Sequence, residues 1–340
     1  MTQYISMKKI VLMPVKNEDW ILEYSLSCAS LWADYIIIAD QDSSDKTQEI
    51  LKKFKKVIYI QNPFEFHSGS VRKLLLEEAR KIPWNNLLFS LDADEIVSAN
   101  FLDSGEQDAL MNSLKPGDSL MLQWVNLWWT TLTYRDDDSI WSNSWKHFAF
   151  YDNREYSYDY INKINDHESR VPKGSLDHVV QNNLIKVLHF QFLWRARMLS
   201  KQRRYRVHDL IQQKNTFFNN LKLNYKYYPT KIIEKVWLHS VDPEWFSWYK
   251  DQRISIDSIK FSTLTYWYDI YILEKFQEFW VYYFRYLDIW DTDWDKTAKS
   301  LSIKWNFHDP RNIFIKLYHR YQSILTFMAA RIPTSIKNKL

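Results

Sequence analysis

The chain has 340 residues, of which 46% are hydrophobic and 25% charged, and its formal net charge is +4. These values are ordinary for a globular protein of one large or two smaller domains. The single cysteine, Cys28, excludes a disulfide framework and any cysteine-rich metal site, and it favours a reducing compartment. Neither a secretion signal nor an apolar stretch of membrane-spanning length is evident, so we expect a cytoplasmic protein.

Glycine occurs at only four positions, and no two of them lie close together. The Rossmann and P-loop motifs each need several glycines within one short loop, so the sequence excludes both of them. A nucleotide site in this chain must therefore be built in another way. Aromatic residues make up 17% of the chain, which suits a core, a sugar-stacking surface or a membrane interface.

Strand and helix patterns alternate through the first hundred residues. Apolar runs predict four strands, which are Lys9–Met13, Tyr35–Ala39, Val57–Ile60 and a strand beginning at Leu87. Helical spacing predicts helices over 18–28, 46–54 and 71–81, with Asn17 capping the first and Ser44 or Asp45 the second. This alternation predicts βαβ units and a parallel sheet that is covered on both faces.

The rest of the chain changes character at Leu193. Before it, Met121–Leu132 predicts one or two strands and Leu184–Phe192 another, whereas 134–160 shows no clear period. After it the pattern is helical. A basic run at 195–206 is typical of a solvated helix face or of a site that binds an anion, and an aromatic block follows at 244–290. We predict two domains, 1–210 and 211–340, the second a helical extension.

The strand that begins at Leu87 ends in three carboxylates, Asp92, Asp94 and Glu95. Open α/β sheets bind their ligands at the carboxyl ends of their strands. On a continuing strand Asp92 and Asp94 would face the same way, and carboxylate oxygens suit Mg²⁺ or Mn²⁺ with a phosphate as co-ligand. A lone D-x-D can equally be a solvated turn, so the surrounding motifs have to decide.

Four motifs stand in a fixed order along this part of the chain. Strand one ends in Pro-Val-Lys-Asn-Glu (14–18), strand two in Asp-Gln-Asp-Ser-Ser-Asp-Lys-Thr (40–47), and Asp-Ala-Asp-Glu (92–95) follows Gly69 and Arg72 of a G-x-x-R element. This order and spacing resemble the family 2 glycosyltransferases with the GT-A fold, over 8–100 and more loosely over 160–192. The resemblance implies an α/β fold, GT-A-like, with a mostly parallel sheet flanked by helices and a mainly helical, aromatic-rich C-terminal extension.

The resemblance also implies a nucleoside-diphosphate sugar, UDP- or GDP-linked, as the donor. It assigns donor binding to a set of residues after the strands: Pro14, Val15, Asn17, Glu18, Asp40, Arg72 and Asp92. It assigns a divalent ion, Mn²⁺ or Mg²⁺, to Asp94 and to His189 on the later strand. For Asn17, Ser43 and Asp45 helix capping is the alternative role, and it is compatible with nucleotide binding.

Catalysis is assigned to the sequence Asp166-His167-Glu168. This element resembles one branch of the family, in which a glutamate at this place is the general base. The resemblance therefore implies that Glu168 deprotonates the acceptor hydroxyl, with Asp166 as the reserve candidate. A single carboxylate used in this way implies inversion of configuration. The alternative for His189 is a satisfied histidine of the core.

The predicted function is that of a metal-dependent inverting glycosyltransferase in glycan or cell-envelope polysaccharide synthesis, with a glycan or lipid-linked acceptor. A sugar-1-phosphate nucleotidyltransferase would need a glycine-rich loop after strand one, and Pro-Val-Lys-Asn-Glu is not such a loop. A non-catalytic glycan- or nucleic-acid-binding protein on the same fold is the other alternative. The modest net charge argues against nucleic acid as a partner.

The last thirty residues, 311–340, contain six Lys or Arg and no Asp or Glu. An apolar stripe at helical spacing runs through them: Ile313, Leu317, Tyr321, Ile324, Leu325 and Met328. A basic amphipathic helix of this kind can lie on an anionic membrane surface, which predicts peripheral contact with the inner face of the membrane. The alternative is a terminal helix that docks on the protein core.

Overall fold

The structure is a computed structural model that describes residues 7–64, 69–102, 106–137, 142, 144–158, 169–227, 237–259, 266–305 and 307–330. The chain forms two compact units. The first comprises Met1–Gln191 and His239–Phe261, and the second comprises Phe192–Leu238 and Ser262–Leu340. These units divide at other residues than the predicted domains, 1–210 and 211–340, which stay a prediction.

One large sheet organises the first unit. Its strands within the described ranges are β1 (Lys9–Val15), β2 (Tyr35–Asp40), β3 (Val57–Gln61), β4 (Leu87–Ser90), β5 (Glu95–Val97), β6 (Ser119–Trp128), β7 (Thr133–Arg135), β8 (Ser144–Tyr151), β9 (Val179–Phe192) and β10 (Leu238–Ser240). The main path runs β10-β7-β6-β8-β4-β1-β2-β3, and β9 joins it by pairing with β6 and β5.

The sheet is mixed. β1 pairs in parallel with β2 and β4, and β2 with β3, as the βαβ pattern predicts. β8 is antiparallel to β4 and to β6, and β5 is antiparallel to β9. The predicted α/β class is therefore confirmed, with the parallel pairing concentrated in the first four strands.

The described helices are α1 (Asp19–Trp32), α2 (Thr47–Leu51), α3 (Gly69–Ala79), α4 (Glu106–Ser113), α5 (Arg195–Ile211), α6 (Phe217–Tyr227), α7 (Glu244–Asp251), α8 (Trp267–Phe279), α9 (Trp294–Ser300) and α10 (Ile313–Ala330). Alternate side chains of β1 enter two different cores. Val11 and Met13 pack in the core that contains the apolar face of α1, whereas Ile10 and Leu12 pack in the core that contains α3. Helices thus cover both faces of the parallel strands, as predicted.

The predicted cap of α1 is wrong. α1 begins at Asp19, its N-cap is Glu18, and Asn17 has a φ of 52°, in the left-handed region. The N-cap position of α2 is Lys46, one residue after the predicted Asp45, but Asp45 Oδ1 accepts from the amide of Thr47, the first residue of α2, at 2.9 Å. Asn17 does not cap α1 because its side chain accepts from the Ser44 amide of the neighbouring loop.

The second unit is mainly helical and aromatic, as expected for the C-terminal part. Phe276 stacks on Trp290 at a centroid distance of 5.4 Å inside its core. The basic run at 195–206 is not a solvated helix face, because four of its arginines are buried: Arg197, Arg203, Arg204 and Arg206. Over the described residues, no helix combines the length and the hydropathy that a membrane crossing requires.

Candidate functional site

The carboxyl ends of β1, β2 and β4 lie side by side. Val15 at the end of β1 is in register with Asp40 of β2, and Leu12 is in register with Ser90 at the end of β4. The loops after these three strands carry the motifs that the sequence singled out. They therefore meet at one edge of the parallel half of the sheet, where α/β proteins place their ligands.

The loops after β1 and β2 are tied together by side chain to backbone hydrogen bonds. Asn17 Oδ1 accepts from the Ser44 amide at 2.7 Å, and the Asn17 amide donates to Ser43 Oγ at 2.8 Å. Asp45 Oδ2 accepts from the Asp19 amide at 3.0 Å. These hydrogen bonds join the two loops and fix the shape of this edge.

Asp40 is completely buried at the end of β2. Its Oδ1 accepts from Ser43 Oγ and its Oδ2 from Gln48 Nε2, both at 2.5 Å. In this arrangement Asp40 organises its own loop, and its predicted contact with the nucleoside stays a prediction.

The remaining predicted donor residues of β1 are also enclosed. Pro14 and Val15 are buried within the strand, and the Val15 carbonyl accepts from the Gln41 amide at 2.9 Å. Glu18 is buried as well, and its Oε2 accepts from Trp20 Nε1 at 2.5 Å. The structure brings these residues and Asn17 to one edge of the sheet, as the motif order implies.

The D-x-D motif forms a turn. β4 ends at Ser90 and β5 begins at Glu95, so Asp92 and Asp94 do not share one face of a continuing strand. Of the two possibilities that the sequence left open, a continuing strand and a turn, the structure has the turn, at Ala93 and Asp94. Asp94 is buried, whereas the side chain of Asp92 keeps 35% of its surface exposed.

Two guanidinium groups hold the Asp92 carboxylate. Arg72 Nη2 donates to Oδ1 and Arg170 Nη2 to Oδ2, each at 2.9 Å. Arg72 also donates to Ser90 Oγ at 2.7 Å, which anchors it to the end of β4. Arg72 therefore contacts the motif itself, and it positions Asp92.

Arg170 also forms a bidentate pair with the buried Glu95. Its two terminal nitrogens donate to the two Glu95 oxygens at 2.7 Å, and Glu95 Oε2 accepts from the Asp92 amide at 2.8 Å. Burial raises the pKa of Glu95, and the charge of Arg170 opposes that rise. Burial disfavours charge on Arg170 too, but Asp92 and Glu95 outweigh it and raise the pKa of the guanidinium.

Asp94 faces His189. Asp94 Oδ1 and His189 Nε2 are 3.7 Å apart, and both residues are buried. His189 Nδ1 lies 2.7 Å from Asn126 Oδ1, and because that oxygen can only accept, Nδ1 carries the proton. With the proton on Nδ1, Nε2 is the ring nitrogen that faces Asp94. The Trp124 ring, stacked on the imidazole at 4.5 Å, holds its orientation.

The pair of Asp94 and His189 fits a divalent ion. Carboxylate oxygen and imidazole nitrogen are both ligands of Mn²⁺-type metals, and the Asn126 contact is of the kind that orients ligating histidines. Among the described residues no group of three or more His, Cys, Asp or Glu could hold a metal. The protein thus supplies two candidate ligands here, leaving the other positions to phosphate oxygens and water, as is usual for such ions.

Lys146 adds a cation close to this turn. It lies on β8 with its Nζ 4.9 Å from the centroid of the Trp124 ring. Burial lowers its pKa and Arg170 lowers it further, whereas Glu95 and Asp92 act in the opposite direction. Its ammonium makes no ion pair with any residue the structure describes.

No sequence pattern indicated Lys146 or Arg170 as site residues. Lys146 lies in the stretch 134–160, where no period was apparent, and Arg170 belongs to no motif. The available signal for Arg170 was indirect, since buried carboxylates after β4 require a cation. The candidate bases Asp166 and Glu168 lie outside the described residues.

Comparison with known proteins identifies one sequence family. Residues 10–104 match the model of glycosyl transferase family 2. No curated protein matches the chain.

Three solved structures show a distant likeness to this chain. S. aureus TarS 1–349 has a TM-score of 0.39 and 14% identity, covering 94% of this chain and 89% of that one. A 4-diphosphocytidyl-2C-methyl-D-erythritol synthase has a TM-score of 0.28 and 15% identity, covering 43% and 75%. Mycobacterium tuberculosis glucosyl-3-phosphoglycerate synthase, in complex with Mn²⁺, UDP and glucosyl-3-phosphoglycerate, has a TM-score of 0.26 and 17% identity, covering 36% and 44%.

All of these TM-scores lie below 0.5, so the fold rests on the strand order described above. The family assignment rests on the sequence match, which spans β1 to β5 and includes the Asp92–Asp94 turn. The resemblance predicted from the motifs is thereby confirmed over residues 10–104, which match the glycosyl transferase family 2 model, and this match supports glycosyltransferase activity.

Proposed function

We propose that the protein transfers a sugar from a nucleoside-diphosphate sugar to an acceptor hydroxyl, with a divalent ion held by Asp94 and His189. The observation that carries the metal proposal is the buried pair of Asp94 Oδ1 and His189 Nε2, 3.7 Å apart and oriented by Asn126. Bound there, Mn²⁺ or Mg²⁺ would neutralise the negative charge of the donor diphosphate.

Asp92 is the proposed contact for the donor ribose. Both of its oxygens accept from guanidinium groups, but each carboxylate oxygen has a second lone pair and the side chain is partly exposed. Arg72 and Arg170 hold the carboxylate in place, so that it can accept from a ribose hydroxyl. The adjoining loops, with Asn17 and Asp40, would flank the base.

Lys146 is the proposed cation for the leaving group. Departure of a nucleoside diphosphate develops negative charge, and a cation already in place within a partly desolvated site stabilises that charge. Lys146 is half-buried, and its ammonium lies over an aromatic ring.

Glu168, with Asp166 as the reserve, is the proposed general base, and its use implies inversion at the anomeric carbon. This part of the proposal is supported by the sequence pattern alone, because both residues lie outside the described ranges. The proposed acceptor is a hydroxyl of a glycan or a lipid-linked sugar.

The test is calorimetric titration of UDP and GDP into the protein, with and without Mn²⁺. We expect one nucleotide to bind only with metal, and Asp94→Asn to weaken that binding at least tenfold. Asp177→Asn, which changes an exposed carboxylate elsewhere in the same unit, is the matched control and should bind as the wild type does. Metal-independent binding, or full binding by Asp94→Asn, would contradict the metal site.

A second titration tests Lys146. Lys146→Met should weaken UDP or GDP binding about tenfold or more, since a charge-assisted contact is lost, and should leave binding of the free nucleoside unchanged. If neither nucleotide binds to the wild type under any metal, the donor proposal itself is wrong.

A further inference from the structure

Helix α10 exposes its apolar face and buries a polar one. We call the exposed face the apolar stripe, and it consists of Ile313, Phe314, Leu317, Tyr321 and Ile324. At 3.6 residues per turn these positions fall within about 100° of arc. The buried side chains lie on the opposite side of the helix: Ile315, His319 and Gln322.

The buried polar side chains are hydrogen-bonded to the second unit. His319 Nε2 donates to the Tyr286 carbonyl at 2.9 Å, and Gln322 Nε2 donates to the Leu221 carbonyl at 3.3 Å. Turning the helix to bury the stripe would break these bonds and leave polar groups without partners. Exposure of the apolar stripe is therefore imposed by the way that α10 is docked.

The stripe is large and continues beyond the helix. Phe314 is 77% exposed and Leu317 55% exposed. Next to α10, the Phe217 ring lies 5.3 Å from Tyr318, and its neighbour Phe218 is 76% exposed. An apolar surface of this continuity on a protein exterior marks an interaction site.

α10 is docked on the protein through its opposite face, which agrees with the alternative left open by the sequence, but the described residues of the stripe are not part of that contact. Ile313, Leu317, Tyr321 and Ile324 all face solvent. The side chains of Leu325 and Met328 lie outside the description.

The charges beside the stripe identify its partner. Lys316 and Arg320 are exposed along one edge of it, and residues 311–340 contain six basic residues and no acidic one. Lys316 lies 3.6 Å from Asp309, an exposed pair that contributes little. A second copy of the chain would present the same cations and no acid on its own stripe, whereas an anionic lipid headgroup complements them.

We propose that α10 seats its apolar stripe on the surface of an anionic lipid bilayer, with Lys316 and Arg320 at the headgroups. The helix would lie in the plane of the interface, as amphipathic helices with a basic edge do. This proposal is independent of the proposed transferase reaction, because it can be measured without donor or acceptor.

The experiment is flotation of the full chain with two kinds of vesicle, phosphatidylcholine alone and phosphatidylcholine with about 30% phosphatidylglycerol. The anionic lipid gives the vesicle surface a negative potential, which attracts basic segments. We expect the wild type to float with the anionic vesicles. Leu317→Gln/Ile324→Gln should weaken partitioning about tenfold or more, since two apolar side chains no longer leave water. Lys316→Gln/Arg320→Gln should weaken partitioning about fivefold for each charge that is removed. This loss should appear only on anionic vesicles and only at low salt, because salt screens the attraction between the charges.

The matched control is Leu132→Gln/Leu184→Gln, which removes two exposed leucines of the first unit and should float as the wild type does. All of these side chains are solvent-exposed, so unchanged circular dichroism and thermal unfolding would show that the variants fold. Failure of the wild type to float with anionic vesicles would overturn the proposal, as would equal flotation of the stripe variant. If the protein binds no vesicles, analytical ultracentrifugation can show whether it forms a dimer. A dimer that Leu317→Gln abolishes would assign the stripe to a second copy of the chain instead.

Discussion

Arg170 is the residue on which the geometry of the D-x-D turn depends. It is the shared partner of Asp92 and Glu95, and Glu95 has no exposed side-chain surface. Ionised groups in such a place are tolerated only when they are paired and hydrogen-bonded. Loss of the guanidinium would leave the buried Glu95 carboxylate without its bidentate partner, and Asp92 with Arg72 alone.

We therefore expect Arg170→Met to lower the free energy of unfolding by about 3–5 kcal/mol, measured by urea denaturation. Arg195→Met, an exposed arginine, is the control and should change it little. The double variant Glu95→Gln/Arg170→Met should be more stable than the single Arg170→Met, because it leaves one buried charge fewer. A single variant as stable as the control would show that the network contributes nothing.

Asn126 acts on the site through His189. Asn126→Leu removes the acceptor that fixes the imidazole, and contacts of this kind are worth about 10–100-fold in metal affinity. We expect a loss of that size in Mn²⁺ titration, with Asn126→Asp, which retains an acceptor oxygen, much closer to the wild type. Equal affinity in Asn126→Leu would mean that the histidine is not a ligand.

The motifs predicted which residues meet at this edge but not what holds them. Asp94 and His189 are 95 positions apart in sequence, yet each follows or lies on an apolar strand, so pattern and resemblance could pair them. Arg170 and Lys146 are single charged residues without periodicity. They matter because they are enclosed among carboxylates and rings, and enclosure is a property of the tertiary structure.

At the scale of elements, the apolar runs predicted β1 to β4 and the helices between them within a few residues. The turn at Asp92–Asp94 escaped prediction because the period of a strand does not show where the strand ends. β8 escaped because Ser144, Lys146 and His147 interrupt its hydrophobic alternation. The predicted cap of α1 failed because Asn17 has a good partner in a neighbouring loop, which local sequence cannot reveal.

The contact between α5 and α8 carries a pH dependence. Asp269 on α8 is buried and accepts from Ser200 Oγ on α5 at 2.7 Å, and burial raises the pKa of Asp269. A carboxyl whose pKa is higher in the folded state stabilises the fold below its unfolded pKa, and that contribution is lost as the pH rises through the folded value.

Asp269→Asn keeps the acceptor for Ser200 and removes the ionisation. We expect the variant to gain stability relative to the wild type as the pH rises from about 3.5 to 7, in urea unfolding at each pH. A stability difference that does not change over this range would contradict the raised pKa.

At the scale of the whole molecule, the first unit is not continuous in sequence. Residues 239–261 return to it, bringing α7 with the buried Trp245 and Phe246, and Tyr249 Oη donates to the Val97 carbonyl at 2.7 Å. The predicted boundary at 210 marks the change to a helical pattern at Leu193. A sequence pattern contains no signal for a later segment that returns to an earlier sheet.

A fragment of residues 1–210 should therefore fold poorly, because it lacks α7 and leaves apolar surface beside β5 in water. We expect it to bind a hydrophobic dye and to unfold without a cooperative transition, whereas a fragment of residues 1–261 should show one. A sharp transition in the shorter fragment would mean that α7 is dispensable for the first unit.

The split of the first unit also has a consequence during translation. All strands from β1 to β9 leave the ribosome before α7 is made, and at about 5–20 residues per second the stretch from 191 to 261 takes on the order of several seconds. Throughout that interval the surface that Trp245, Phe246 and Tyr249 will cover is open to chaperones and to other nascent chains. Codon usage between 191 and 261 thus becomes a determinant of yield, since slower synthesis there would prolong the exposure of a nearly finished sheet.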